Sequence, residues 1–224
     1  MFRLLLIIAA VLGLGAYAMR FLPPAWDPGT PLDLTAEPNW LASGKLARMR
    51  QDAQACIAAF DVSAIAITRV PDRPSDTGCA LENALRLPTD LRTAPGAPTL
   101  TCPLAAAWAM FERHTLQPAA RLHLGQEVTG IRHLGAQTCR NIAGGTRRSE
   151  HATANAIDIA GFTLRNGREI TLVAGWNGAA ADAAFLRAVR DGACRWFRVV
   201  LGPDRDAAHR DHFHLDMGPY RACR

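Results

Sequence analysis

Two polar stretches far apart in the chain constrain its fold more than any other feature. Residues 147–158 read Arg-Arg-Ser-Glu-His-Ala-Thr-Ala-Asn-Ala-Ile-Asp, and residues 209–214 read His-Arg-Asp-His-Phe-His. Four of the seven histidines lie in these two stretches, whereas His114, His123 and His133 stand singly in segments without partner residues. Imidazoles and a carboxylate drawn from two distant segments suit a metal site. Catalytic zinc commonly takes three nitrogen or oxygen ligands and leaves a fourth position to water. The fold must therefore bring residues 151–158 against residues 209–214.

Strand arithmetic says how. Side chains two apart on a strand share a face, so His212 and His214 are expected to point into one cleft. His151 and Asp158 are seven apart, an odd number that would put them on opposite faces of one continuous strand. His151 therefore belongs on a loop, with Ser149 and Glu150, and Asp158 on the strand Ala156–Ala160 that follows. Taken singly, a His-x-His pair or an Asp within Ile-Asp-Ile has an ordinary structural explanation, and the conjunction carries the expectation.

The 224 residues, 49% apolar and 20% charged, suit one globular domain with a sizeable core. The +5 formal charge is spread over scattered Lys and Arg, without a basic stripe and interleaved aromatics, which argues against a nucleic-acid partner. At the N-terminus, Arg3 precedes the apolar run Leu4–Gly15, and Ala16-Tyr-Ala18 fits a small-x-small cleavage site. Residues 1–22 thus read as an export signal or, if uncleaved, a membrane anchor. Residues 23–39, rich in Pro, Asp and Thr, read as a linker, and the domain spans 40–224.

Six cysteines without a Cys-x-x-Cys pair fit an oxidising compartment and three disulfides. Pairing of sequence neighbours is the expectation: Cys56 with Cys79, Cys102 with Cys139, and Cys194 with Cys223. Helices are expected over 41–60, from Thr101 as N-cap to about His114 before Pro118 forces a break or restart, and over 179–190. Strands are expected at 64–69, 80–87, 126–133, 156–160, 196–201 and 212–216. Phe162–Leu164 and Glu169–Val173 form a hairpin whose Asn166-Gly167 suits a type I′ turn. The architecture is α+β, an antiparallel sheet with flanking helices, stabilised by disulfides.

Ser149-x-His151-x-x-Ala154-x-Ala156-x-Asp158, taken with His212-x-His214, resembles the signature of zinc D-alanyl-D-alanine carboxypeptidases, dipeptidases and murein endopeptidases, within the wider group that includes lysostaphin and hedgehog domains. Leu100-Thr-Cys-Pro103, Val128-Thr-Gly-Ile131, Ser149-Glu-His-Ala152, Asn155–Phe162, Val200-Leu-Gly-Pro203 and His209–Asp216 resemble the bacterial extensin-like C-terminal domain family over residues 40–223. The resemblance implies a hedgehog/D-Ala-D-Ala peptidase-like fold and a Zn2+ held by His151, Asp158 and His214. It implies catalytic roles for His212 and His209, with Asp211 the alternative to His212 as base. Arg147 or Arg148 is placed to hold a substrate carboxylate or developing oxyanion, or is simply exposed. Ala154 stands where the signature has Gly, which suits a position without positive φ. The implied activity is hydrolysis of peptidoglycan stem or cross-link peptides by an exported, periplasmic or envelope-bound monomer, anchored to the inner membrane through residues 4–22 if the N-terminal run is uncleaved.

Overall fold

The computed structural model describes residues 2–19 and 21–224. Helix α1 (Phe2–Met19) is apolar throughout apart from Arg3 and exposes large side chains such as Leu4, Leu5, Ile7 and Leu14. Its 18 residues rise about 27 Å. Among the described residues no helix is long and apolar enough to cross a membrane.

Residues 23–39 do not form the expected free linker. Leu32 and Leu34 are buried in the main core, and the Leu34 N–H donates to Ser63 Oγ at 2.7 Å. Asp33 accepts from the Thr35 amide and hydroxyl at 2.8 and 2.7 Å. The segment thus satisfies its own polar groups while two leucines anchor it, and the folded unit begins well before Trp40.

The helix expected over 41–60 is two helices, α2 (Ala42–Arg48) and α3 (Ala53–Val62). Asp52 separates them because its carboxylate accepts from the Ala55 N–H at 2.9 Å and caps the second helix. The run at 64–69 is largely irregular, and only β1 (Arg69–Val70) is strand. It pairs with β2 (Ala84–Arg86). After β3 (Arg92–Ala94), β4 (Thr99–Thr101) adds to β2, which completes a three-stranded antiparallel sheet.

Thr101 precedes α4 (Cys102–Phe111) in extended conformation, with Pro103 in the first turn, but its hydroxyl donates to Asn155 Oδ1 at 2.8 Å and caps nothing. Almost every side chain of α4 is buried, Trp108, Met110 and Phe111 among them. Pro118 does not stop the chain. The helix widens into a π-turn at Glu112–Leu116 and continues as α5 (Gln117–Leu124). The wider turn relieves the clash a proline ring makes with the carbonyl four residues earlier.

The second half builds the larger sheet from β5 (Val128–Gly135), β6 (Ala156–Leu164) and β7 (Glu169–Thr171). Helices α6 (Leu172–Gly175) and α7 (Ala180–Ala193) follow, then β8 (Val199–Leu201), β9 (Phe213–Asp216) and β10 (Ala222–Cys223). The strand order is β10-β8-β9-β6-β5-β3, with β7 also on β6. The sheet is mixed, since β3–β5 and β8–β10 are parallel and the remaining pairs antiparallel. The turn between β6 and β7 is not type I′. Gly167 has φ +85° while Asn166 does not have positive φ, and the Leu164 carbonyl accepts from Gly167 N–H at 2.9 Å. That is a three-residue loop with a glycine bulge.

Edge-to-face aromatic pairs join the elements: Phe162 on β6 with Phe185 on α7 at 5.4 Å, and Phe111 on α4 with Phe197 at 5.5 Å. The disulfides are Cys56–Cys102, Cys79–Cys139 and Cys194–Cys223. Only the last matches the sequence-neighbour expectation. The first joins α3 to the start of α4, two helices that pack side by side. The second ties the loop before β2 to the segment ahead of His151, where Arg148 Nε also donates to the Thr77 carbonyl at 2.8 Å. With separations of 46, 60 and 29 residues, each bridge stabilises by roughly 3.5–4.5 kcal/mol in the chain-entropy model.

Candidate metal centre

The centre lies where β6 and β9 run side by side. Asp158 is directly opposite His214 in the antiparallel register, and His212, just ahead of β9, projects toward the same carboxylate. His151 comes from a 3-10 turn, Glu150–Thr153, immediately before β6, as its odd spacing from Asp158 requires. Ser149 caps that turn by accepting from His151 N–H at 3.3 Å. The His151 carbonyl in turn accepts from Thr138 N–H at 2.9 Å.

The turn closes through Ala154, whose φ is +57°. The expectation of ordinary backbone at this position is therefore corrected: an alanine occupies a left-handed conformation. A polar network holds it there. Asn155 Nδ2 donates to Glu150 Oε2 at 2.6 Å, Thr101 hydroxyl donates to Asn155 Oδ1, and Thr101 N–H donates to the Ala154 carbonyl at 2.9 Å. The turn bearing His151 is thus fastened to the start of α4.

The three expected ligands converge. Donor atoms of His151, Asp158 and His214 lie within 4.8 Å of one another. His151 Nε2 is 3.2 Å from Asp158 Oδ1 and 3.2 Å from His214 Nδ1, and His214 Nδ1 is 3.0 Å from Asp158 Oδ1. Ligands at 2.0–2.1 Å from a tetrahedral ion would be separated by roughly 3.3–3.4 Å. A shift of a few tenths of an ångström would admit one.

The outer nitrogens fix the tautomers. His151 Nδ1–H donates to the Ala136 carbonyl at 3.2 Å, and His214 Nε2–H donates to Asp216 Oδ2 at 3.0 Å. Asp216 is itself held, since its Oδ1 accepts from Gly218 N–H at 2.8 Å. When the imidazoles are neutral, the inner nitrogens present two lone pairs to each other and to a carboxylate. Three acceptors facing inward without a hydrogen need a cation between them, a proton or a metal ion. That donor chemistry fits zinc, and hydrogen bonds from ligand histidines to a carbonyl and a carboxylate are the usual second layer of a zinc site.

The titration of the cluster reflects this convergence. Burial alone would depress the His214 imidazole, but its hydrogen bonds to Asp158 and Asp216 push it up to about 9. Burial would raise the Asp158 carboxyl, but hydrogen bonds from His151 and His214 hold it far below the usual carboxylate range.

Two further histidines border the cluster, each oriented by an aspartate. His212 Nδ1–H donates to Asp211 Oδ1 at 2.9 Å, which leaves Nε2 facing Asp158 Oδ1 at 3.6 Å. Asp211 therefore orients His212, and the hydrogen bond lowers its own carboxyl pKa. His209 Nδ1–H donates to Asp206 Oδ1 at 2.7 Å, with its ring 5.3 Å from that of His212. The Arg148 guanidinium is committed to the Thr77 carbonyl and to Asn141 Oδ1, at 2.8 and 2.7 Å, and fastens loops. Arg147 stacks on the exposed Tyr220 ring at 4.5 Å. His133 is buried on β5 with Nε2 on the Gly96 carbonyl at 2.7 Å, away from the ligand set.

Sequence reasoning gave no role to Asp216 and did not single out Asp206. Asp216 was within reach of it, because it continues the two-residue period of His212 and His214. Asp206, three residues before His209, has the spacing of a turn cap.

The family model described as Extensin-like protein C-terminus matches residues 54–224. No curated protein and no solved structure matches the chain. The match covers well over half of the sequence, and the chain belongs to this extensin-like C-terminal family.

Proposed function

We propose that this extensin-like chain is an exported zinc-dependent hydrolase of the peptidase or amidase type, acting on stem or cross-link peptides of peptidoglycan. The proposal includes a hedgehog/D-Ala-D-Ala peptidase-like fold, a periplasmic or envelope location and a monomeric state. The observation that carries it is the inward-facing His151–Asp158–His214 set with its outer nitrogens fixed, next to a histidine that has a free Nε2 and an aspartate behind it.

His151 Nε2, Asp158 and His214 Nδ1 would hold the ion, with His212 Nε2 beside them, 3.6 Å from Asp158 Oδ1. The ion, when bound, supplies an acidified water and a polarised scissile carbonyl at neutral pH. His212 Nε2 takes a proton from the attacking water and returns it to the leaving amine, and Asp211 keeps its Nδ1–H pointing away from the reaction. Proton transfer by a positioned histidine contributes roughly 10²–10⁴-fold. His209, held by Asp206 and with its ring 5.3 Å from that of His212, is a further active-site histidine. A chain that keeps fold and metal without turnover, a peptidoglycan-binding module, is the alternative.

The test separates the two histidines of His212-x-His214. His214→Ala should lose both zinc and hydrolysis, whereas His212→Ala should keep one zinc and lose rate by roughly 10²-fold or more. Zinc stoichiometry is measured beside release of D-alanine or cleaved cross-links from purified peptidoglycan. Wild-type protein that binds zinc but releases nothing from a range of murein substrates would establish the binding module instead.

A further inference from the structure

Tryptophan is on average a buried residue, and the five in this chain divide sharply. Trp108, Trp176 and Trp196 are 0%, 3% and 3% exposed, whereas Trp26 and Trp40 are 46% and 74% exposed. Both exposed indoles lie in the segment that follows α1, and Phe21 and Leu22 beside them are 71% and 41% exposed.

These residues are fixed to the domain. Asn39 Nδ2–H donates to the Ala25 carbonyl at 2.7 Å, so the side chain of the residue before Trp40 holds the backbone of the residue before Trp26. Lys45 Nζ of α2 donates to the Pro24 carbonyl at 3.3 Å and to Thr30 Oγ1 at 3.1 Å. Leu32 and Leu34 then enter the core. No long tether separates α1 from the folded unit. The seven Cα–Cα steps from Met19 to Trp26 reach at most about 25 Å when fully extended, and the 3-10 turn at Pro24–Trp26 shortens that reach.

The occupant of this face follows from what α1 is. An apolar helix with exposed leucines and isoleucines along its length is stable in lipid and costly in water. Indole rings, with an apolar body and one N–H, concentrate where hydrocarbon meets headgroups. Tyr17 and Phe21 stack edge-to-face at 5.2 Å at the end of α1 and continue the aromatic series toward Trp26.

We propose that Phe21, Leu22, Trp26 and Trp40 form a seat by which the domain rests on a lipid bilayer surface, with α1 retained and inserted beside it in the same leaflet without crossing the bilayer. The partner is the headgroup layer of a bilayer, and the two indoles lie within it.

The test uses the full chain reconstituted into phosphatidylcholine vesicles with and without brominated acyl chains. Wild-type tryptophan emission should shift to the blue on reconstitution and show a component quenched by the brominated lipid. Trp26→Phe with Trp40→Phe should lose that component while the three buried indoles keep the domain folded. Equal quenching in both proteins, or undiminished quenching of Trp26 and Trp40 by aqueous iodide in vesicles, would overturn the seat. So would a lipid-free dimer in which the same two indoles are already shielded from iodide. A mature envelope protein that begins after Met19 and washes off the membrane would overturn the retained helix and the seat with it.

Discussion

Replacing Asp216 by Asn tests whether the centre is organised for a metal ion or only for its own hydrogen bonds. Asp216 accepts two of them, from Gly218 N–H at 2.8 Å on Oδ1 and from His214 Nε2–H at 3.0 Å on Oδ2. An asparagine has the same shape but a single acceptor oxygen. With that oxygen kept on Gly218 N–H, its NH₂ faces His214, and the imidazole must turn its Nε2 lone pair outward and carry its hydrogen on Nδ1. Nδ1 is the atom 3.0 Å from Asp158 and 3.2 Å from His151, so the ligand lone pair is lost from the cluster. Loss of such an outer partner typically weakens metal binding 10–100-fold, about 1.4–2.7 kcal/mol. Titration of zinc against a chromophoric chelator, with near-ultraviolet circular dichroism to monitor the fold, measures the effect. A folded Asp216→Asn protein that binds zinc within twofold of wild type would refute the tautomer argument.

Thiol titration of denatured, unreduced protein should find almost no free thiol, since all six cysteines are paired, and two or more free thiols would contradict the bridges. Removing Cys79–Cys139, with its separation of 60 residues, by alanine at both positions should cost roughly 4 kcal/mol, read as a lower urea midpoint. Glu112 supplies a pH test remote from the metal ligands. Burial pushes its carboxyl pKa up, against the lowering effect of hydrogen bonds from Thr89 and Trp108. The folded state therefore holds this proton more tightly than the unfolded chain, so the contribution is full below the unfolded value and is lost as pH rises through the raised folded one. Glu112→Gln keeps an acceptor without a charge, and its thermal stability relative to wild type should improve from pH 4 to pH 8; a constant difference would contradict the assignment.

Side-chain periodicity made part of this molecule legible in its sequence. The odd spacing of His151 and Asp158 placed one on a loop and the other on a strand, and the even spacing of His212 and His214 directed both to one face. The α+β class followed from strand-like runs grouped around the hairpin over residues 162–173, with helical runs beside them. What composition suggested was less secure. Pro, Asp and Thr made residues 23–39 look like a linker, but Leu32 and Leu34, two apart, suffice to anchor the segment on the core. The disulfide pattern was not readable because it depends on which elements end as neighbours. Cys56 and Cys102 meet only after α3 and α4 pack together. The restart at Pro118 was readable but not its form, since a single π-turn accommodates what an α-helix would not. Arg148 looked like a substrate ligand because it adjoins the metal loop, but adjacency in sequence does not say which way a guanidinium turns.

Ala154 shows how the His151 turn departs from the glycine signature and still forms. A left-handed φ costs an L-residue about 1–2 kcal/mol, and Ala154 adopts it at φ +57°. Against that cost, its methyl is fully buried, which is worth about 0.8 kcal/mol. An alanine also loses about 0.4–1 kcal/mol less unfolded-state entropy than glycine. The two sides nearly cancel, so the substitution is close to neutral provided the backbone is held from outside. Asn155, Glu150 and Thr101 do that holding, through bonds to both ends of the turn. The same clamp sets the direction of His151, because a turn free to relax from the left-handed conformation would carry Nε2 away from Asp158. The strained alanine, the polar network at the start of α4 and the inward-facing imidazole are thus one arrangement, in which packing remote from the ligands fixes the position of a ligand atom.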